Sequence, residues 1–235
     1  MNNQVLQLKV RQSLNKLASN DYDNIVCWQI VEKFNKVQPL WTRKNLHGLN
    51  VKQEGDEQST SRIDDFQILL TTSPVLTVAD RGDFYETVNI LPQDYLRFKR
   101  VSCKAKSDCC SERKMVVYLG EAGNLDLLLR DKNKQPSFEW GETFATFSAD
   151  KLRIYTNAQF EVIDPTLTYY RQPRRIEIAG CKDPYTGITP TTDVECEFKD
   201  DIVELLIEAT AGELAKDIES IMQAQRAEQN VEKNN

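Results

Sequence analysis

The chain of 235 residues contains one histidine, His47. A Ser-His-Asp triad would have to recruit it from a polar, aperiodic stretch, so that form of catalysis is not expected. Phosphate-cradling glycine loops are missing as well: no GxGxxG opens a strand–helix unit, and no GxxxxGK[ST] occurs. GEAG at 120–123 reads as a turn. There is no G-x-S-x-G elbow and no H-E-x-x-H. No apolar run approaches the ~18 residues of a membrane span. The opening MNNQVLQLKVRQ has no long apolar core of the signal-peptide kind, so nothing predicts passage across a membrane.

What is present is an ordinary globular composition, 40% hydrophobic and 28% charged. The six cysteines are Cys27, Cys103, Cys109, Cys110, Cys181 and Cys196. Neighbouring Cys109 and Cys110 fit neither a C-x-x-C redox site nor a regular zinc knuckle. Zinc on Cys103, Cys109, Cys110 and one distant cysteine is the alternative to buried or half-buried free thiols in a reducing compartment, which is the expectation. Net charge is -6 and unevenly spread. Residues 1–50 hold 7 basic and 3 acidic residues, and residues 197–235 hold 4 basic and 10 acidic. Two oppositely charged helical ends would pair within one chain or between neighbouring chains. An acidic total argues against a dedicated nucleic-acid binder.

Leu6, Val10, Leu14 and Leu17 form one helix face. SNDYD at 19–23 supplies a turn and cap, and Val26, Ile30, Phe34 and Val37 predict a second helix ending before Pro39. Residues 43–65 lose periodicity and read as a flexible linker with His47 at the surface. FQILLTT (66–72), VLTVA (75–79), YETVNI (85–90) and RKMVVYLG (113–120) predict strands, and LPQDYLRF (91–98) one or two short helical turns. GNLDLLLRD (123–131) reads as strand or short helix. Phe138, Trp140, Phe144 and Phe147 are expected core aromatics, and KLRIYTN with QFEVID a hairpin turning at Asn157 and Ala158. A last helical stripe carries Ile202, Leu205, Leu206, Ala209, Leu214, Ile218 and Ile221. The predicted fold is α+β, with an N-terminal helical hairpin (1–42), the linker (43–65), a mainly antiparallel β domain (66–196), a C-terminal helix packing with the first two (197–228) and a frayed tail (229–235).

Chemistry, if present, would come from carboxylates or arginines. Asp64–Asp65 and Asp200–Asp201 sit at element starts, where capping explains them more cheaply than acid–base or metal work. Basic residues cluster around Arg97 and Arg100, and again at Arg171, Arg174 and Arg175 beside Tyr169 and Tyr170. On a strand the two tyrosines face opposite sides, so at most one stacks on a given ligand. Pro173 cannot donate to a ladder, which marks an edge, bulge or strand break. Arginine forks and tyrosine area suit a protein contact. Tyr169, Tyr170, Arg171, Arg174, Arg175, Arg97 and Arg100 are therefore the candidate interface, and no catalytic, cofactor or metal residue is assigned.

LPQDYLRF, the pair at 109–110, LTYYRQPRRIEIAGCKDPYTG and CEFKDDIVELLIEATAGELAKDIE together resemble a virion structural protein of crAss-like bacteriophages, similar to the ring proteins of their head–tail connector. The likeness covers roughly residues 66–225. It implies a non-enzymatic subunit of a symmetric ring, with about twelve copies, placed below the portal protein and around the DNA path. Genomic DNA would pass through without sequence-specific binding. Such a subunit would be made in the bacterial cytoplasm and end in the virion. The alternatives are a metal-dependent hydrolase or nuclease using clustered carboxylates, and a nucleic-acid-binding module.

Overall fold

The computed structural model describes residues 1–17, 25–48, 60–88, 91–107, 110–217 and 229. The fold is α+β, with N-terminal helices, a long C-terminal helix and a mainly antiparallel sheet between them. It divides into a helical unit, Met1–Ile68 with Pro173–Asn235, and a β unit, Leu69–Gln172.

The helical unit contains α1 (Asn3–Leu17), α2 (Cys27–Leu46), α3 (Thr60–Phe66) and α5 (Asp200–Asp217). Leu6, Val10 and Leu14 are buried, as are Ile30, Phe34 and Val37, in keeping with their helical spacing. Val26 instead sits outside α2 as its exposed N-cap residue. Against expectation, α2 continues through Pro39 to Leu46. A proline inside a helix costs about 3 kcal/mol. Burial of Trp41, Thr42, Asn45 and Leu46 beyond it offsets that cost, and the Trp41 ring lies 5.7 Å from both Phe66 and Phe198. The linker expected over 43–65 is thus helix at both ends, with exposed His47 capping α2. Residues 49–59 of that linker, the turn at 19–23, and Ile218 and Ile221 lie outside the described residues.

The last helix is the centre of this unit. α5 packs against both α1 and α2, as expected of the C-terminal helix, while α1 and α2 touch each other little. Ile202, Val203, Leu206, Ile207, Ala211, Leu214 and Ala215 of α5 are buried. Ion pairs run along its flanks: Lys9 to Glu204, Lys33 to Asp217, and Lys36 Nζ to Glu213 at 3.0 Å. The oppositely charged ends therefore pair inside one chain. Burial pushes the Glu213 carboxyl up, but hydrogen bonds from Lys36 and Lys216 hold it below the usual range. These pairs are partly exposed and contribute less than about 1 kcal/mol each; they set the register while apolar burial supplies the stability.

Residues 173–196, expected in the β domain, belong to the helical unit, with a single bridge, Glu177 to Val194. Two asparagines hold them. Asn35 Nδ2 donates to the Ile176 carbonyl at 3.0 Å while its Oδ1 accepts from the Ile176 N–H at 2.8 Å. Asn3 Nδ2 donates to the carbonyls of Glu177 and Val194. Side-chain amides thereby replace the ladder partners a strand would have had.

The β unit contains β1 (Leu70–Thr72), β2 (Val78–Asp80), β3 (Phe84–Thr87), β4 (Tyr95–Ser107), β5 (Cys110–Leu119), β6 (Glu142–Ser148), β7 (Lys151–Tyr155) and β8 (Glu161–Arg171), with α4 (Leu125–Arg130) after β5. The sheet order is β1-β8-β4-β5-β6-β7-β3-β2, antiparallel except for β5 with β6. Its two edge strands are consecutive in the chain, and hydrogen bonds continue between them. Leu76 N donates to the Pro165 carbonyl of β8, and the next residue, Thr77, accepts from Val88 N after β3. One extended segment thus serves both β8 and β3 and closes the sheet on itself, so neither of those strands is left as an open edge. Inside lie Val101, Cys103, Met115, Val117, Ile154, Val162, Leu167 and Tyr169.

Several strand-level expectations change. LPQDYLRF is a turn running into β4 rather than helix. Residues 66–69 are helical, and β1 begins only at Leu70. The turn residues Asn157 and Ala158 do adopt positive φ, 51° and 54°, but β7 pairs with β6 and β3 whereas β8 pairs with β4 and β1. The predicted hairpin does not form, because barrel closure gives each strand a more distant partner.

If α5 is the centre of the helical unit, Leu206→Ala should lower stability by about 2–5 kcal/mol. Lys9→Ala should cost under about 1 kcal/mol. Urea titration followed by far-UV circular dichroism measures both.

Candidate interaction surfaces

The structure splits the predicted interface residues between the units. Arg97, Arg100, Tyr169, Tyr170 and Arg171 lie on the β4–β8 ladder, where Arg97 is opposite Tyr170 and Arg100 opposite Thr168. Arg174 and Arg175 belong to the helical unit.

Both tyrosines are buried, Tyr169 to 4% exposure and Tyr170 to 3%. As alternation requires, they serve different faces. Tyr169 enters the barrel core, donates its hydroxyl to Asp94 at 3.0 Å and lies 5.6 Å from the Tyr95 ring. Burial, reinforced by the Asp94 bond, pushes its phenol up to about 12. Tyr170 carries Lys99 Nζ 5.7 Å above its ring. Their aromatic area is already used inside the chain, and the arginines remain the outward part of the stretch. Arg174 is fixed by its backbone N–H donating to Glu197 at 2.9 Å, with its guanidinium exposed.

A groove of about 440 Å³ lies in the helical unit, lined among others by Trp28, Glu32, Arg175, Glu177, Tyr185 and Ile188. Its far wall is the turn DPYTG at 183–187. Asp183 accepts from Tyr185 N at 2.8 Å and from the Thr186 hydroxyl at 2.9 Å, and Gly187 with φ 71° completes the reversal. The Tyr185 N–H bond, joined by the Thr186 bonds, holds the Asp183 carboxyl below the usual range. The turn presents Tyr185 at 75% exposure, edge-on to Trp28 at 6.0 Å. A disulfide between Cys27 and Cys181 joins the first residue of α2 to this wall. Free thiols were expected here; the fold instead brings together two cysteines 154 residues apart, a pairing no local spacing announces. Cys103 and Cys196 are free and buried, and burial pushes their thiols up to about 12 and about 11. Cys109 lies outside the described residues.

A second surface lies on the outside of the barrel. Val116 and Tyr118 alternate with buried Met115 and Val117 on β5, so their side chains face outward and are exposed. Val116 N donates to the Gly141 carbonyl, next to Trp140. Trp140 was an expected core aromatic; it is 79% exposed, because the turn at 137–141 carries it past the end of β6. Phe144 does enter a core, stacked on Tyr155 at 4.8 Å. Gly120 lets these side chains close over the strand end: a Cβ would stand 2.9 Å from the Leu128 side-chain tip of α4 and 3.2 Å from the Phe144 ring, so both would have to shift. Register places Ser102 opposite Val116, and hence Arg100 beside Tyr118, with Lys114 on the other side of the pair.

Among the described residues no group of three or more His, Cys, Asp or Glu is placed to hold a metal ion. Asp64 and Asp65 pair with Lys199, and Asp200 and Asp201 open α5 as its first-turn acids. Comparison with protein-family models finds no match. Comparison with curated proteins finds none.

Reduction of the disulfide, or Cys27→Ser, should cost about 2–4 kcal/mol, read as a lower melting temperature with reductant than without. Tyr169 makes a pH-dependent contribution. An unfolded chain loses the phenolic proton near 10.0 and the folded chain keeps it to about 12, so stability is full below that window and falls as pH rises through it. Tyr169→Phe should cost about 1 kcal/mol at neutral pH and flatten the alkaline loss in denaturant titrations.

Proposed function

We propose that the chain is a non-catalytic structural subunit of the head–tail connector of a crAss-like bacteriophage, one of about twelve copies in a ring below the portal protein. The sequence likeness over residues 66–225 supplies the placement. The observation that carries the assembly reading is the pair of unlike exposed surfaces, the Trp28–Tyr185 groove and the Val116–Tyr118 face with Trp140 nearby. A ring built head to tail needs two different surfaces on each copy, since one face always meets the other. Exposed tryptophan and tyrosine are the side chains that anchor protein contacts.

The acidic net charge of -6 suits a ring that lets DNA pass without gripping its phosphates. Opposite charge on the terminal helices, by contrast, lends no support to contacts between copies, because those charges are used within the helical unit. On this reading the subunit is made in the host bacterial cytoplasm and joins the portal and other connector proteins there.

Mass spectrometry of purified particles, followed by a cryo-electron microscopy map of the head–tail junction, tests the reading. The expected result is this chain, in repeated copies, in a ring beneath the portal. Its absence from purified particles overturns the proposal.

A further inference from the structure

We infer that the groove of the helical unit in one copy receives the outer β4–β5 face of the next copy, which rests on the reading that copies join head to tail. Complementary chemistry points to this pairing. In the groove, the Tyr185 N–H and Thr186 bonds hold the Asp183 carboxyl down, and the Arg175 charge adds to them. The two remaining acids, Glu32 and Glu177, are exposed and form no ion pair with described residues. They flank Trp28, Tyr185 and Ile188.

On the β face the balance is reversed. Lys104 is satisfied by Glu112 at 3.4 Å and Asp164 at 4.0 Å. Arg100 and Lys114 are exposed, form no ion pair with described residues, and flank Val116 and Tyr118. Glu142, opposite Val116 on β6, accepts from the Tyr118 hydroxyl at 3.3 Å, so this face sets two cations against one carboxylate, while the groove sets two carboxylates beside its aromatic rings. Opposite charges across a contact set its partner and register.

The groove is also preformed. The disulfide holds one wall to α2, the Asn35 clamp holds Ile176, and the Asp183 turn fixes Tyr185. Little ordering remains to oppose docking. The exposed apolar side chains of the β face, Val116, Tyr118 and Trp140, offer on the order of 400 Å². A stable pairwise interface takes about 800 Å² per partner. A single contact of this size is weak, and its strength comes from repetition around a closed ring.

Sedimentation velocity on the full chain, from micromolar concentration up to its solubility limit, tests this with two variants. One carries Glu32→Lys and Glu177→Lys, the other Arg100→Glu and Lys114→Glu. All four positions are exposed, and circular dichroism verifies that both variants fold. Each variant alone should associate at least about tenfold more weakly, because like charges then face each other. An equimolar mixture should recover to within about threefold of the unaltered chain, since every groove again meets a face of opposite sign. Three results overturn the inference: an unaltered chain that stays monomeric, variants that associate normally, or a mixture that stays dissociated. Association with the expected rescue in a chain absent from purified particles would instead keep this contact and remove the connector placement.

Discussion

Docking of the first helix onto the last is the contact on which the helical unit depends. α5 supplies buried side chains to both α1 and α2, and α2 adds Trp41 against Phe66 and Phe198. A chain that joins its beginning to its end in this way must treat everything between as an excursion. The β unit meets that requirement through its own topology. Its entering strand β1 pairs antiparallel with its leaving strand β8, Leu70 opposite Tyr170, so its two ends emerge side by side. An insertion with adjacent ends disturbs its host little, whatever its length.

The same arrangement decides which charges are available to partners. Lys9, Lys33, Lys36, Glu204, Glu213 and Asp217 are used in fixing the register of α5. Glu32, Glu177, Arg100 and Lys114 are not, and they border exposed aromatic or apolar side chains. The division is between charges that specify the fold and charges left over at surfaces rich in contact area. The surfaces expected to bind partners are therefore different from the ones the raw charge distribution suggests.

Much of the fold was legible in the sequence where the relevant physics is local. Leu6, Val10 and Leu14 announce a helix because periodicity is a property of neighbours, and the same holds for α5 and for the alternation in RKMVVYLG. Partner choice is not local. Nothing in KLRIYTN or QFEVID distinguishes a hairpin from two strands of a closed barrel, since both show period two. Burial needed to carry α2 past Pro39 comes from Phe66 and Phe198, far along the chain. The candidate site was legible only in part. Arg100 was named for its charge, and its neighbours Val116 and Tyr118 became visible through strand register. Tyr169 and Tyr170 were named for their area, which the chain keeps for itself. The groove was hidden because its walls meet through a disulfide spanning 154 residues.

Joining residues 1–68 directly to 173–235 through a short glycine–serine linker, with the β unit removed, is the most direct measurement of the central claim. The expected product is helical by circular dichroism, unfolds cooperatively and forms the Cys27–Cys181 bond. A product that is unfolded or lacks that bond would contradict the claim that the two ends of the chain make one unit with the barrel as an insertion.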